Sequence, residues 1–502
     1  KYGFQDGLFS GYNPEKRNYD QSTWAFELDE NKVPKKDPTL KHPRCVFQLL
    51  KQHYSRYTLD TVSGITGVSK ENLLKVYDAY AATGAPDKSG TMLYALGWTQ
   101  HTVGVQNIRS ACILQLLLGN MGVAGGGINA LRGEPNVQGS TDYALLYHII
   151  PGYMATPIAD WQTLADYNKA NTPVSNDPMS GNWWQNKPKY LASLLKGWFG
   201  ENATPENDFG YGMLPKLEKG KDYSYLYLFD LMYQDKIRGG FIFGLNPMNS
   251  VPNSNKLRKA MDNLDWLVTV DVHHSETTDN WHRPGIDPKK NKTEVFLLPS
   301  AHRLEKDGSV TNSSRLLLWH HKAIDPPGQA QTFGYMLVEI MNRVRGLYKK
   351  EPGAYPDPII KLDWPSKYDA DEMAKKINGF FTKDVKVGDK EYKKGQLVPS
   401  FAALMDDGST SSLCWVYTGS YSEQAGNLAK RRDPTQTPMQ AAIGLYPNWA
   451  WAWPLNRRIL YNPASVNLDG QPWSPQKAVI KWEGDKWVGD VPDGGWPPLS
   501  TG

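Results

Sequence analysis

The sequence predicts an α/β protein of several domains, built on open, mainly parallel sheets flanked by helices. Short apolar runs bounded by turn residues alternate with helix-period stretches, around residues 69–118 and again over 222–319. In the first of these regions a strand, a tight turn and a helix follow one another, and strands alternating with helices imply parallel pairing. The 502-residue length fits about three packed units of roughly 150 residues each.

Taken in order, residues 1 to about 65 are polar and aromatic without a period, which predicts surface wrapping and loops. Ser69 suits the N-cap of a helix carrying Leu73, Leu74, Val76, Tyr77 and Tyr80, with Gly84 as its stop. Met92 to Trp98 predicts a buried strand. Val105 to Leu118 predicts a helix with Ile108, Cys112 and Leu116 at helical spacing. Further strands are expected at Gly239–Asn246, Asp265–Val272, Glu294–Pro299 and Arg315–Trp319, with a helix at Asn255–Leu264. Tyr355-Pro356-Asp357-Pro358 marks a boundary or insertion, and Cys414–Thr418 reads as a strand before a Trp-rich tail.

Composition removes several function classes. Hydrophobic residues make up 40% and aromatics 12%, enough for a sizeable core and against disorder. The net charge of +4, with no Lys/Arg run that forms a basic stripe, argues against a nucleic-acid partner. No apolar run approaches the roughly 18–20 residues that span a bilayer, so no transmembrane segment is expected in this chain. The three cysteines, Cys45, Cys112 and Cys414, form no CxxC, which leaves no cysteine-bound iron–sulfur or zinc site in this stretch. The pairs His273-His274 and His320-His321 lack a metal spacing and read as packing or hydrogen-bonding groups, so no metal ligand is assigned. Lys1 is no initiator, and Gly494-Gly495-Trp496-Pro497-Pro498 is no domain end, so the chain is expected to continue on both sides.

The densest chemical signal is Gly125 to Gly139. Three consecutive glycines let backbone approach a ligand and offer N–H groups to an anion. Arg132 follows, with a planar fork that matches a carboxylate in two parallel hydrogen bonds. Gly133, Asn136, Gln138 and Ser140 lie just beyond, the amides suited to a heterocycle edge. The alternative, a Gly-rich surface loop with a solvated Arg, fits the spacing equally well. A second signal is Gly244-Leu245-Asn246-Pro247 with Ser250, then Asp271 at a strand end and Thr277 beyond it. Polar groups just past strands in an α/β sheet lie where nucleotides bind; the alternative is that Asn246 and Asp271 only cap turns. Two weaker segments are Glu305 to Arg315, a polar hairpin or loop, and Thr418 to Asn427 with Arg431-Arg432.

These segments, in this order, resemble the molybdopterin oxidoreductase superfamily and, within it, the large (alpha) catalytic subunit of formate dehydrogenases. Gly125 to Asp142 resembles the active-site arginine loop, and Tyr94 to Thr102 the strand and turn before it. Leu297 to Arg315 resembles the common EK-G-TN-R segment, and Trp451 to Ser465 the large subunits of periplasmic and membrane-linked enzymes. The resemblance runs from about residue 60 to 470 and covers the middle of such a subunit. It implies two molybdopterin guanine dinucleotides chelating Mo or W. Arg132 would orient formate, Gly133, Asn136, Gln138 and Ser140 would lie along the pterin side, and Gln100 and His101 would face one pterin. Gly244, Asn246, Ser250, Asp271 and Thr277 would hold a guanosine end.

The implied division is 1–134 with the arginine loop, 135–345 with the guanosine site, and 346–502 as an insertion and connection. The metal-ligating selenocysteine or cysteine, its following His and a [4Fe–4S] cluster are expected upstream of Lys1. Implied partners are formate and CO2, an iron–sulfur electron-transfer subunit and a cytochrome, in a periplasmic setting. Two alternatives are a nitrate or polysulfide reductase of the same superfamily and a noncatalytic scaffold with that fold.

Overall fold

The computed structural model describes residues 7–442, 446–452, 462–474 and 479–489. The Trp451–Ser465 motif falls mostly outside the described residues. The first strand, Met92–Tyr94, is shorter than predicted, because the chain turns into helix Leu96–Thr99; Leu93 on it is exposed rather than buried. It pairs in parallel with Ile128–Ala130, Tyr94 opposite Ala130. Helix Gly104–Leu117 connects the two. Its fully buried Gln115 donates to the carbonyls of Gly90 (2.8 Å) and Gly127 (2.5 Å) and accepts from Tyr80 Oη (2.6 Å). Asn120, equally buried, accepts from Gly90 N at 3.1 Å and from Gly127 N at 2.7 Å. Gln115 and Asn120 thus tie the backbone at Gly90 to that at Gly127, and they fix the entry to the glycine loop.

Ser69 caps helix Lys70–Ala81 as expected, accepting from Asn72 N, but of the predicted stripe only Leu73 and Tyr80 are half-buried. Residues 7–65 are more regular than their composition suggests. Helices Val46–Tyr54 and Leu59–Thr66 form there, the second capped by Thr58 and ended by Gly67 at φ 72°. Local capping chemistry outweighed the weak hydrophobic period.

The second parallel sheet has Trp266–Asp271 in the middle, flanked by Gly239–Phe243 and Glu294–Pro299. Helices Tyr225–Tyr233 and Ser254–Asp262 flank it, with Met232, Leu257, Met261, Leu264 and Leu267 in one small core. The predicted fourth strand exists as Leu316–His320, but it forms an antiparallel hairpin with Gly308–Thr311 and also pairs with Ala450–Trp451. A short connection permits only antiparallel return. Among the described residues the parallel ladders lie in the two strand–helix units, and the other sheets are small and antiparallel, with two or three strands each.

The largest core joins Tyr167, Tyr190, Leu191, Leu194 and Leu195 to Phe381, Trp415 and Tyr417, with Tyr190 stacked on Trp415 at 4.3 Å. Cys414–Thr418, expected as a strand, is instead a buried 3-10 turn, Trp415–Tyr417. Packing decides it: the turn points Trp415 Nε1 at Gly152 O, 2.8 Å away. Among the described residues no helix is long and apolar enough to cross a membrane.

Candidate functional site

Both predicted clusters sit at the carboxyl ends of parallel strands, where open α/β sheets leave a crevice for ligands. The first begins as Ile128–Ala130 ends: Leu131 N donates to Tyr94 O at 2.7 Å, and the chain then leaves the sheet at Arg132. Gly126 admits no side chain here, since a Cβ would lie 2.2 Å from Asn120 O; Gly127 takes φ 89°. Arg132 is exposed, and its guanidinium has no hydrogen bond or ion pair among the described residues. Gly133 is exposed with open space around it. Gln100 and His101, also exposed, lie beyond the end of the neighbouring strand, after helix Leu96–Thr99; His101 O accepts from Gly104 N at 2.9 Å.

The loop is stitched to the turn of the antiparallel hairpin. Arg132 N donates to Ser313 Oγ at 2.9 Å, and Thr311 N donates to Asn136 Oδ1 at 3.0 Å. Helix Val137–Asp142 follows, half-buried at Ser140 and buried at Gln138. Gln138 Nε2 donates to Asp142 Oδ1 (2.9 Å) and to Tyr153 Oη (2.8 Å), so this amide is engaged inside the protein.

Asp142 is the hub that the sequence reading missed. Its carboxylate, fully buried, accepts from Tyr153 Oη at 2.5 Å and Tyr417 Oη at 2.8 Å, and faces Arg315 at 3.5 Å. Burial, reinforced by the Asp142 charge, pushes the Tyr153 phenol up to about 12. Burial likewise raises Tyr417 well above the ordinary phenol range, helped by Tyr143 and Asp142. Both therefore stay protonated donors to the carboxylate at neutral pH. Asp142 closed the quoted arginine loop and Arg315 closed the EK-G-TN-R segment, but nothing in either motif paired them.

The second cluster follows Gly239–Phe243 and Trp266–Asp271. Gly244, at φ 57°, donates its N–H to Val270 O at 2.8 Å and turns the chain toward Asn246. Asn246 Oδ1 accepts from Thr277 Oγ1 (2.8 Å) and Nδ2 donates to Glu276 Oε2 (2.6 Å). Thr277, 1% exposed, also accepts from Met248 N at 3.2 Å. Ser250 Oγ donates to Asn246 O at 3.0 Å and stays at the surface. Asp271 is half-buried; one oxygen accepts from Val272 N at 2.7 Å, and the other has no hydrogen bond among the described residues. Glu276, unforeseen, is held below the usual carboxylate range by the Asn246 hydrogen bond. Asn246, which follows the Gly244 turn, is thus joined to Ser250 on its own segment and to Thr277 beyond the next strand, and Asp271 lies one strand over.

The two clusters offer different chemistry. The first presents a guanidinium and bare glycine backbone, suited to a small anion. The second presents a carboxylate, hydroxyls and an amide, suited to a nucleoside edge. Among the described residues no group of three or more His, Cys, Asp or Glu could hold a metal ion.

The chain matches the family model described as molybdopterin oxidoreductase over residues 56–343. It is 68% identical over 499 residues to formate dehydrogenase 2 subunit alpha (cytochrome c-553) of Nitratidesulfovibrio vulgaris, covering 99% of this chain and 49% of that protein. It is 57% identical over 507 residues to the formate dehydrogenase subunit alpha of Megalodesulfovibrio gigas, covering 99% and 50%. It is 46% identical over 505 residues to the major subunit of the nitrate-inducible formate dehydrogenase of Escherichia coli, covering 98% and 49%. The chain spans about half the length of these curated relatives.

Proposed function

The chain belongs to the molybdopterin oxidoreductase family, and from that premise we propose that it carries the substrate-orienting loop and part of the cofactor cradle of a formate dehydrogenase catalytic subunit. The reaction is oxidation of formate to CO2, or its reverse. The observation that carries this reading is the position of Arg132. It leaves the carboxyl end of a parallel strand with a guanidinium uncommitted among the described residues, next to Gly133, where an added Cβ would meet nothing within 4 Å. Relatives whose printed names are formate dehydrogenases match nearly the whole chain.

The residues present fit a pterin cofactor in its guanine dinucleotide form. Gly133, Asn136, Gln138 and Ser140 would lie along one pterin, with Gln100 and His101 toward a pterin face. Asp271, with one oxygen uncommitted among the described residues, would accept from a guanine N–H or ribose hydroxyl, while Asn246, Ser250, Thr277 and Gly244 shape that end. Two such dinucleotides with Mo or W are proposed, the divisions near residues 134 and 345 belonging to the same scheme. When bound, this centre supplies a two-electron acceptor next to the substrate.

Arg132 would grip both oxygens of formate in parallel hydrogen bonds, neutralise its charge and leave the C–H bond directed away from the guanidinium. Fixing the anion this way removes orientational freedom before reaction and requires no reorganisation during it. The bare backbone of Gly133 leaves room for that approach. An iron–sulfur partner subunit, a cytochrome acceptor, an upstream [4Fe–4S] cluster and a periplasmic location are parts of the proposal.

Formate- and nitrate-dependent dye reduction by the complete protein, together with its pterin and metal content, tests the reading. Formate-dependent turnover with bound pterin and Mo or W is the expected result. Turnover with nitrate alone, or a protein without pterin, rejects it.

A further inference from the structure

Three segments distant in sequence close on one buried carboxylate behind Arg132. Asp142 is fully buried and touches Gln138, Tyr153, Tyr417 and Arg315 through its two oxygens. Thr311 Oγ1 and Tyr417 Oη are 2.8 Å apart, so the ring of contacts closes back on the hairpin turn. That turn, Thr311 to Arg315, also holds the loop at two points upstream, Asn136 Oδ1 and the Arg132 amide. The stretch from Arg132 to Asp142 is therefore tied to the same turn at three points, through the Arg132 amide and the side chains of Asn136 and Asp142.

Arg315 at φ 67° and Tyr153 at φ 63° both hold the left-handed region that non-glycine residues rarely adopt. A carboxylate with this many partners in a buried site has one orientation, and a shift there moves the helix Val137–Asp142 that follows the arginine loop.

We infer that Asp142 is a positioning residue for the substrate: through Arg315 and Tyr417 it clamps the arginine loop onto the hairpin turn and so sets where the Arg132 guanidinium stands. This rests on the formate reading of Arg132. Asp142 itself is sealed from solvent and takes no part in the chemistry. A misplaced guanidinium weakens its grip on the one-carbon anion, so the effect should fall on KM more than on kcat.

The test uses the complete holoenzyme with Asp142→Asn and Tyr417→Phe. Steady-state formate kinetics per pterin-loaded site and amide hydrogen exchange over residues 131–137 are measured for each. Expected for Asp142→Asn is a KM for formate raised about tenfold, a kcat within about threefold, and faster exchange over 131–137. Tyr417→Phe should move both readouts the same way and less. Unchanged KM and unchanged exchange, with only the melting temperature lowered, overturn the inference and leave a purely structural network. If Asp142→Asn does not fold, Tyr417→Phe decides on the same two readouts. A wild-type holoenzyme that does not oxidise formate rejects the formate reading instead, and the exchange measurement, which needs no substrate, then decides the clamp alone.

Discussion

The backbone amide of Arg132 donates to the hydroxyl of Ser313, 2.9 Å away and 181 positions later in the chain. One hydroxyl thereby sets the direction in which the arginine leaves its strand. Ser313→Ala removes the acceptor and leaves that amide to water. A lost neutral hydrogen bond of this kind is worth about 1 kcal/mol, or about fivefold. We expect a KM for formate raised by about that factor, with pterin content unchanged. A variant indistinguishable from wild type in formate titrations would show that the hydroxyl does not govern the loop.

Arg132 itself offers the sharper contrast. Lys keeps the charge and loses the planar fork, while Ala loses both. Removing a preorganised donor to a reacting anion costs on the order of 10²–10³-fold in rate. Arg132→Ala should fall at least that far in formate oxidation and Arg132→Lys nearly as far, both with wild-type Mo or W content. Because the side chain has no partner among the described residues, neither change should lower the melting temperature appreciably. Turnover near wild type in both variants removes the substrate role.

The glycine loop separates packing from ligand access. At Gly126 an added Cβ would meet Asn120 O at 2.2 Å, a backbone atom that also accepts from Gly127 N and cannot yield cheaply. At Gly133 the same atom meets nothing. Overpacking of this kind costs about 1–3 kcal/mol. Gly126→Ala should therefore unfold at lower denaturant concentration, whereas Gly133→Ala should match wild type in the same denaturant titration. Equal midpoints for both would mean that the loop relaxes freely.

Much of this was legible in the chain. Ser69 gave its helix a cap, Glu294–Pro299 fell on its strand to the residue, and both candidate clusters lie at strand ends. What escaped depends on distant partners. Cys414–Thr418 is β-prone by composition, yet the indole of Trp415 fits only a turn that reaches Gly152 O, 263 positions earlier. Asp142 and Tyr417 are 275 positions apart, and no periodicity reports such a pair. Arg315–Trp319 reads as one more strand of a parallel sheet, but it forms the second arm of an antiparallel hairpin, because a strand pattern carries no direction.

Asp371 predicts an acid limb in stability. Burial alone would raise its pKa, but hydrogen bonds from Asn427, Tyr421 and Lys430 outweigh that and bring it down to about 2 from 3.8. A carboxylate with a depressed folded-state pKa stabilises the fold above its ordinary pKa, and that contribution is lost as pH falls through the folded value. The window is therefore from just above 3.8 down to about 2. The side chain is 32% exposed, so solvent screening reduces the contribution to about 1 kcal/mol. Asp371→Asn should be less stable than wild type by about that much at neutral pH, with the difference closing across this window in chemical denaturation. A constant gap down to pH 2 would assign the loss to packing instead of charge.

At the other cluster, Asp271 and Thr277 should separate cofactor retention from stability. Asp271 ends its strand with one oxygen held by Val272 N and the other uncommitted among the described residues, so truncation removes little internal bonding. Thr277 is sealed in and bridges Asn246 Oδ1 and Met248 N, so Thr277→Val leaves the buried Met248 amide and the half-buried Asn246 oxygen short of a partner. An unsatisfied buried group costs about 1–3 kcal/mol. Asp271→Ala should therefore reduce bound guanine nucleotide, measured after acid release, while unfolding near the wild-type denaturant midpoint. Thr277→Val should lower that midpoint first and lose nucleotide as a consequence. Full nucleotide content in purified Asp271→Ala would place the guanosine end elsewhere.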